Sequence, residues 1–134
     1  MQIASDPKWL RLVRSLVEEN CIGLGAGEES ASAVVLAVNE AVANVMRHSY
    51  EGDTTRPIQI ECRLADEMIE VLICDDGKQA DFLSRELPPP DELRPGGRGL
   101  YMMRALMDEI EYRREDGGNR MYLRKHVLQQ EAGR

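Results

Sequence analysis

Apolar and polar positions run along this chain in two rhythms, and the change comes at Pro57. Before it the spacing is helical. Trp9, Leu10, Val13, Leu16 and Val17 draw one apolar face up to about Asn20, after Asp6 as a helix N-cap and Pro7 at the first helical position. A longer segment, Ala31 to Tyr50, repeats the pattern with Val35, Val38, Val42 and Val45 as the buried stripe of a central helix. Gly23 to Gly27 separates the two helices, and Glu51-Gly52-Asp53 ends the second in a polar turn. From Pro57 the period becomes two. Pro57 to Arg63 alternates as a half-buried strand, and Met68 to Cys74 is a more continuously apolar and more central one, with Leu64 to Glu67 as the hairpin between them. Ile110 to Arg114 and Met121 to Val127 read as a closing pair of strands around a turn over 115–119, and Met1 to Ser5 as a short first strand. Between the strand pairs lie a polar, proline-rich loop over 78–95 and a helix from Leu100 to about Asp108. Without a regular βαβ repeat, this order predicts an α+β, two-layer α/β sandwich: a mixed, mostly antiparallel sheet with helices on one face.

Composition narrows the function. At 134 residues the chain is read as a single domain over 1–128 with a frayed tail over 129–134. A formal net charge of −7 and no basic stripe argue against nucleic acid as a partner. Cys21, Cys62 and Cys74 are odd in number and lack C-x-x-C spacing, so neither a disulfide framework nor a zinc site is indicated. Charges at Asp6, Lys8, Arg11 and Arg14 break up any N-terminal signal, and no stretch is apolar enough to span a membrane, so a cytoplasmic protein is expected.

Three clusters carry candidate chemistry. Glu40, Asn44 and His48 recur every four residues, stacking polar groups along one flank of the central helix beside its apolar stripe. Ala33, Ala37 and Ala41 leave room near that flank. Asp75-Asp76-Gly77 ends the buried strand, where a carboxylate serves as a metal ligand, as an acceptor for a base, or merely as the cap of a turn. Gly96-Gly97-Arg98-Gly99 opens the last helix, and bare N–H groups at a helix start favour an anion. It is neither a Walker A loop nor a Rossmann fingerprint.

In order and company, the stretches N-E-A-V-A-N-V-M-R-H-S-Y, L-I-C-D-D-G and G-G-R-G-L-Y-M-M-R-A-L-M-D-E resemble the GHKL ATP-binding (Bergerat) fold. The last stretch and the small size are similar to its bacterial anti-sigma-factor serine kinases of the RsbW and SpoIIAB type. That resemblance implies ATP and Mg²⁺ as cofactors. It makes Asn44 the Mg²⁺ ligand, Glu40 the general base, Asp75 the acceptor for the adenine amine, and Gly77 the residue that lets the backbone close on the base. Gly97, Arg98, Gly99 and Leu100 would hold phosphate through their N–H groups, with Arg94 and Arg98 toward the γ-phosphate and the 78–95 loop as lid. Arg47 and His48 join the nucleotide-binding set, His48 as a helix end more than as a catalytic group. The chain departs from the pattern at Gln79, where the second glycine of a D-x-G-x-G box would stand. Asn119 and Arg120 occupy the region of the family's later threonine.

The implied activity is a protein serine/threonine kinase that dimerises, sequesters a sigma factor and phosphorylates a STAS-domain antagonist. The alternative is a nucleotide-dependent partner-binding regulator without kinase activity. A water-directed ATPase of the gyrase type and a histidine kinase fit less well, for want of a transducer domain or a phosphoacceptor helix pair.

Overall fold

Three helices cover one face of a five-stranded sheet in the computed structural model, which describes residues 1–79 and 98–127. The strands are β1 (Gln2–Ala4), β2 (Pro57–Ala65), β3 (Met68–Asp75), β4 (Glu109–Glu115) and β5 (Gly118–His126). They lie in the order β1-β2-β3-β5-β4, and every pairing is antiparallel. The two-layer α+β architecture is the one expected, with the sheet at the wholly antiparallel limit. Both hairpins close through two residues of positive φ, Asp66-Glu67 (50° and 64°) and Asp116-Gly117 (52° and 74°). Turns with that geometry match the right-handed twist of the strands they join.

Strand alternation decides which side chains meet the helices. Ile58 and Ile60 on β2, Ile69, Val71 and Ile73 on β3, and Met121 and Leu123 on β5 are buried beneath them. The outer face is held by charge instead. Arg63, Glu70 and Arg124 are cross-strand neighbours, and Glu70 receives Arg63 Nε and Arg124 Nε, each at 2.7 Å. Their stems bury Glu70 to 6% exposure although no helix covers it.

Helix α1 (Leu10–Gly23) follows a 3₁₀ turn, Pro7–Trp9, capped by Asp6 through Lys8 N–H at 3.0 Å. Helix α2 (Glu28–Asn44) is the centre of the helical layer and packs against both α1 and α3 (Arg98–Leu106). Glu28 and Glu29 sit in its first turn, where the helix dipole favours negative charge. Its buried stripe is Val34, Ala37, Val38, Ala41, Val42 and then Val45; Val35, expected on that stripe, is only half-buried. Ala37 and Ala41 are fully buried and so fill the core.

After Asn44 the helix widens into a π turn, Val45–Ser49, instead of continuing as α to Tyr50. Such a turn adds a residue to the helical repeat, so positions four apart no longer stack. None of the helices among the described residues is long and apolar enough to cross a membrane. All three cysteines are free.

Candidate functional site

The polar flank of α2 exists, with one member exchanged. Arg47 Nη2 donates to Asn44 Oδ1 at 2.7 Å and to Glu40 Oε2 at 3.1 Å, so the row is Glu40–Asn44–Arg47. His48 is exposed on the π turn and does not continue that row. Burial lowers its pKa first, and the nearby Arg47 and Lys78 cations lower it further. Asn44 is buried at 3% exposure, an unusual place for a carboxamide unless it is held or used.

Helix α3 brings its first turn against this row. A Cβ on Gly99 would collide with the Glu40 carboxylate, so the bare Cα lets the Glu40 side chain rest in its present position against the start of α3. The Glu40 carboxylate therefore rests against a helix N-terminus, a natural anion site. Leu100, the next residue, is buried at 3% and anchors that turn to the core. Arg94, Gly97 and all of the expected lid except Lys78 and Gln79 lie outside the described residues, as does the 129–134 tail.

The third cluster meets the first across the core. Asp75 falls on the helix-facing side of β3 because it continues the Ile69, Val71, Ile73 alternation. It is 8% exposed and accepts Gly77 N–H at 2.9 Å and Asn119 Nδ2 at 2.8 Å. Burial pushes its carboxyl above the ordinary aspartate range, and those two donors oppose the push. Asp76 points the other way. It is ion-paired with Arg56 at 2.6 Å and hydrogen-bonded by Tyr50 Oη at 2.8 Å, which hold its carboxyl low. Only Asp75 can face a ligand between sheet and α2.

Gly77 is required by space. A Cβ there would strike the backbone carbonyl of Ser49. Ser49 O in turn accepts Lys78 N–H at 3.0 Å, and Arg114 Nη1 donates to Gly77 O at 2.7 Å. The turn after β3 is thus pinned to the π turn on one side and to β4 on the other. Beneath it, Ala41, Asn44, Val45, Ser49, Ile73 and Asp75 line part of a cavity of about 10 Å³, which holds about one water.

The sequence does not single out Ser49, Tyr50 and Tyr112 as parts of this site, and it marks Asn119 only by its place in the region of the family's later threonine. Asn119 is opposite Asp75 in the β3–β5 register. The Asp116-Gly117 turn signal, which sets the β4–β5 register, was the one local clue to it.

Charges inside the site resemble those of a bound nucleotide with its ion. A guanidinium sits between Glu40 and Asn44, where oxygen donors suit a cation, and a carboxylate sits at the α3 N-terminus, where N–H groups suit phosphate. Residues present therefore fit ATP with a hard divalent cation, even though no acidic or histidine cluster able to hold a metal alone occurs among the described residues.

The chain is 27% identical over 125 residues to the serine-protein kinase RsbW of Bacillus subtilis, covering 87% of this chain and 78% of the relative. It is 28% identical over 140 residues to that of Oceanobacillus iheyensis, covering 98% and 88%. A solved structure of the RsbU and RsbW domains of a Mycobacterium tuberculosis protein matches with a TM-score of 0.69 at 22% identity. That match takes in 95% of this chain but only 32% of the other. A histidine kinase domain from Erythrobacter litoralis has a TM-score of 0.54 at 20% identity, covering 94% and 63%. The model of the histidine kinase-like ATPase domain matches residues 3–125, from β1 through β5 and so across every element that builds the site, and the chain belongs to that family.

Proposed function

We propose that this protein is an ATP-dependent serine/threonine protein kinase and anti-sigma factor, and that it phosphorylates a serine on a STAS-domain antagonist. The observation that carries the reading is the Glu40–Asn44–Arg47 row lying directly against Gly99 at the start of α3. The names of the relatives support the kinase class. The sigma factor, the STAS partner and a homodimer follow from the resemblance to the RsbW and SpoIIAB type.

When bound, ATP supplies the phosphoryl group and Mg²⁺ offsets its charge. The chain's own groups do the rest. Asn44 Oδ1 offers the cation a hard oxygen ligand, for which Arg47 must swing away. In this reading the N–H groups of Gly97, Arg98, Gly99 and Leu100 hold phosphate, Arg94 and Arg98 contact the γ-phosphate, and His48 belongs to the nucleotide-binding set as a helix end. Asp75 accepts the exocyclic amine of the base, and the bare Cα of Gly77 lets the turn approach it. Glu40 takes the proton from the serine hydroxyl as its oxygen bonds to the γ-phosphorus and the bond to the ADP oxygen breaks. Positioning and charge supply most of the rate in such transfers, so a compact site with one carboxylate base suffices.

The test is transfer of labelled γ-phosphate to a purified STAS protein encoded beside the chain's own gene. Native protein should label it, and Glu40→Gln should lower the rate by about 10²-fold or more while still binding ATP. Equal labelling by both proteins would remove Glu40 as the base. A second reading, a nucleotide-dependent regulator without kinase activity, is favoured by Gln79 in the glycine box. On that reading ATP binds, no partner is labelled, and Glu40→Gln regulates as native does.

A further inference from the structure

Glu40 stands at one end of a longer seam between α2 and α3. Its carboxylate rests on Gly99 at the start of α3, while Ala33 and Leu36, earlier on α2, share a groove with Ala105 and Leu106 at the end of α3. The two helices therefore run antiparallel. Ala33 and Glu40 are seven residues apart, as are Gly99 and Leu106, and that spacing keeps each pair on one helix face. Away from Glu40 the helices part around this groove of about 420 Å³, whose apolar lining is flanked by Glu29 and Lys125. Leu36 is 48% exposed, Ala105 is exposed, and Ala33 and Leu106 are half-buried. A single exposed leucine needs no explanation, but four apolar side chains around an open groove do. The core does not use them, because α2 already buries Val34, Ala37 and Val38 there. The small side chains of Ala33 and Ala105 keep the groove open.

We propose that this groove docks the polypeptide that carries the acceptor serine, and that it takes an apolar side chain standing two or three residues from that serine. This docking site rests on the kinase reading above and adds what the acceptor must offer beside a hydroxyl. Continuity with Glu40 selects the occupant. The base has to reach the acceptor's proton, so the chain bearing that hydroxyl must pass the Glu40 end of the seam. From Glu40, Leu36 lies about 6 Å along α2 and Ala33 about 10 Å. An extended chain advances about 3.3 Å per residue, so these spans correspond to two and three residues of substrate. The nucleotide does not compete for the groove, because Asn44 and the π turn lie beyond Glu40 in the opposite direction along α2. An apolar floor with one charge of each sign at its rim is also the usual build of a protein-binding patch. Leu36 touches none of the reacting groups, so its loss falls on KM for the protein substrate and spares kcat.

The experiment is steady-state transfer of labelled γ-phosphate by the full chain to the STAS protein encoded beside its gene, with kcat and the KM for each substrate measured. Leu36→Ser should raise KM for the STAS protein about fivefold or more, with kcat and KM for ATP within about twofold of native. Leu36→Met, which keeps the apolar bulk, should recover most of that loss. Leu64→Ser, at a leucine 45% exposed on β2 and outside the groove, should behave as native. Changing to Ser the apolar residues two and three positions from the acceptor serine should raise KM for the native enzyme and add little to Leu36→Ser, since both changes remove one contact. Should Leu36→Ser fail to fold, Ala105→Glu serves, because it sets a charge in the groove from an exposed position. Unchanged KM in these variants, or additive effects of enzyme and substrate changes, overturns the proposal. Loss of self-association or of sigma-factor binding in Leu36→Ser with KM intact overturns it too, and gives the groove to that other partner. A native chain that binds ATP yet labels no STAS protein overturns the kinase reading itself, and this docking site with it.

Discussion

Replacing Gly77 by Ala should damage the site out of proportion to one methyl group. The added Cβ would collide with the backbone carbonyl of Ser49 and come within 2.7 Å of its carbon and 2.9 Å of its Cβ. Backbone of the π turn cannot yield as a flexible side chain would, so the turn after β3 must move. Overpacking of this kind costs about 1–3 kcal/mol. The movement also loosens three bonds: Gly77 N–H to Asp75 at 2.9 Å, Lys78 N–H to Ser49 O at 3.0 Å, and Arg114 to Gly77 O at 2.7 Å. At about 1 kcal/mol for each bond lost, a full loss brings the total to roughly 4–6 kcal/mol, and partial relaxation to about 2–3. Gly23→Ala is the control, because its Cβ meets nothing within 4 Å and its backbone is not left-handed. There Ala should be neutral or stabilising by up to about 1 kcal/mol. Urea unfolding followed by circular dichroism measures both. A Gly77→Ala protein with the midpoint and ATP affinity of Gly23→Ala would refute the close-packed turn.

Other consequences are smaller or more local. Tyr50→Phe removes the hydroxyl whose single proton is shared between Pro57 O and Asp76 Oδ1 and whose oxygen accepts Asp76 N–H at 3.0 Å. It should lower the urea unfolding free energy by about 1–3 kcal/mol. Glu70 gives a pH signature: burial alone would raise its carboxyl, but hydrogen bonds from Arg124 and Arg63 outweigh this and hold it below the ordinary value. A depressed folded pKa adds stability that is present above the unfolded value of about 4.3 and is lost as pH falls through the folded one. The unfolding midpoint should therefore drop between about pH 5 and pH 3, and Glu70→Gln should show a shallower drop; equal slopes would mean that the Arg63–Glu70–Arg124 row contributes nothing. Asp75 has the opposite shift, and the ionised form is the one that accepts an amine. ATP affinity should thus fall on acidification at a pH above the ordinary aspartate range, which calorimetry across pH would detect.

Local pattern carried most of the fold. Period-two alternation placed β2, β3, β4 and β5 within a few residues, since each has one face in the core. The stripe of α2 and the Asp-Asp-Gly at the end of β3 were equally visible. What escaped depends on register or on helix type. Asn119 meets Asp75 across 44 residues of chain, and no local signal says that β5 pairs with β3 so as to bring them face to face. The π turn at Val45–Ser49 escaped because its residues suit an α-helix equally well; tertiary demands set it, with Ser49 O receiving Lys78 N–H and Tyr50 reaching Asp76. Arg47 took the place expected for His48 for the same reason. Val35 is half-buried at the edge of the stripe, and periodicity alone does not separate an edge position from a central one.

The most direct test of the account is equilibrium binding of ATP with and without Mg²⁺ to native protein and to Asn44→Ala. The account expects binding that requires Mg²⁺ and that weakens by about tenfold or more when Asn44 Oδ1 is removed, since the other groups named for the cation site are a cation and a proton acceptor. Binding that is indifferent to Mg²⁺ and equal in the two proteins, or no binding at all, would contradict it.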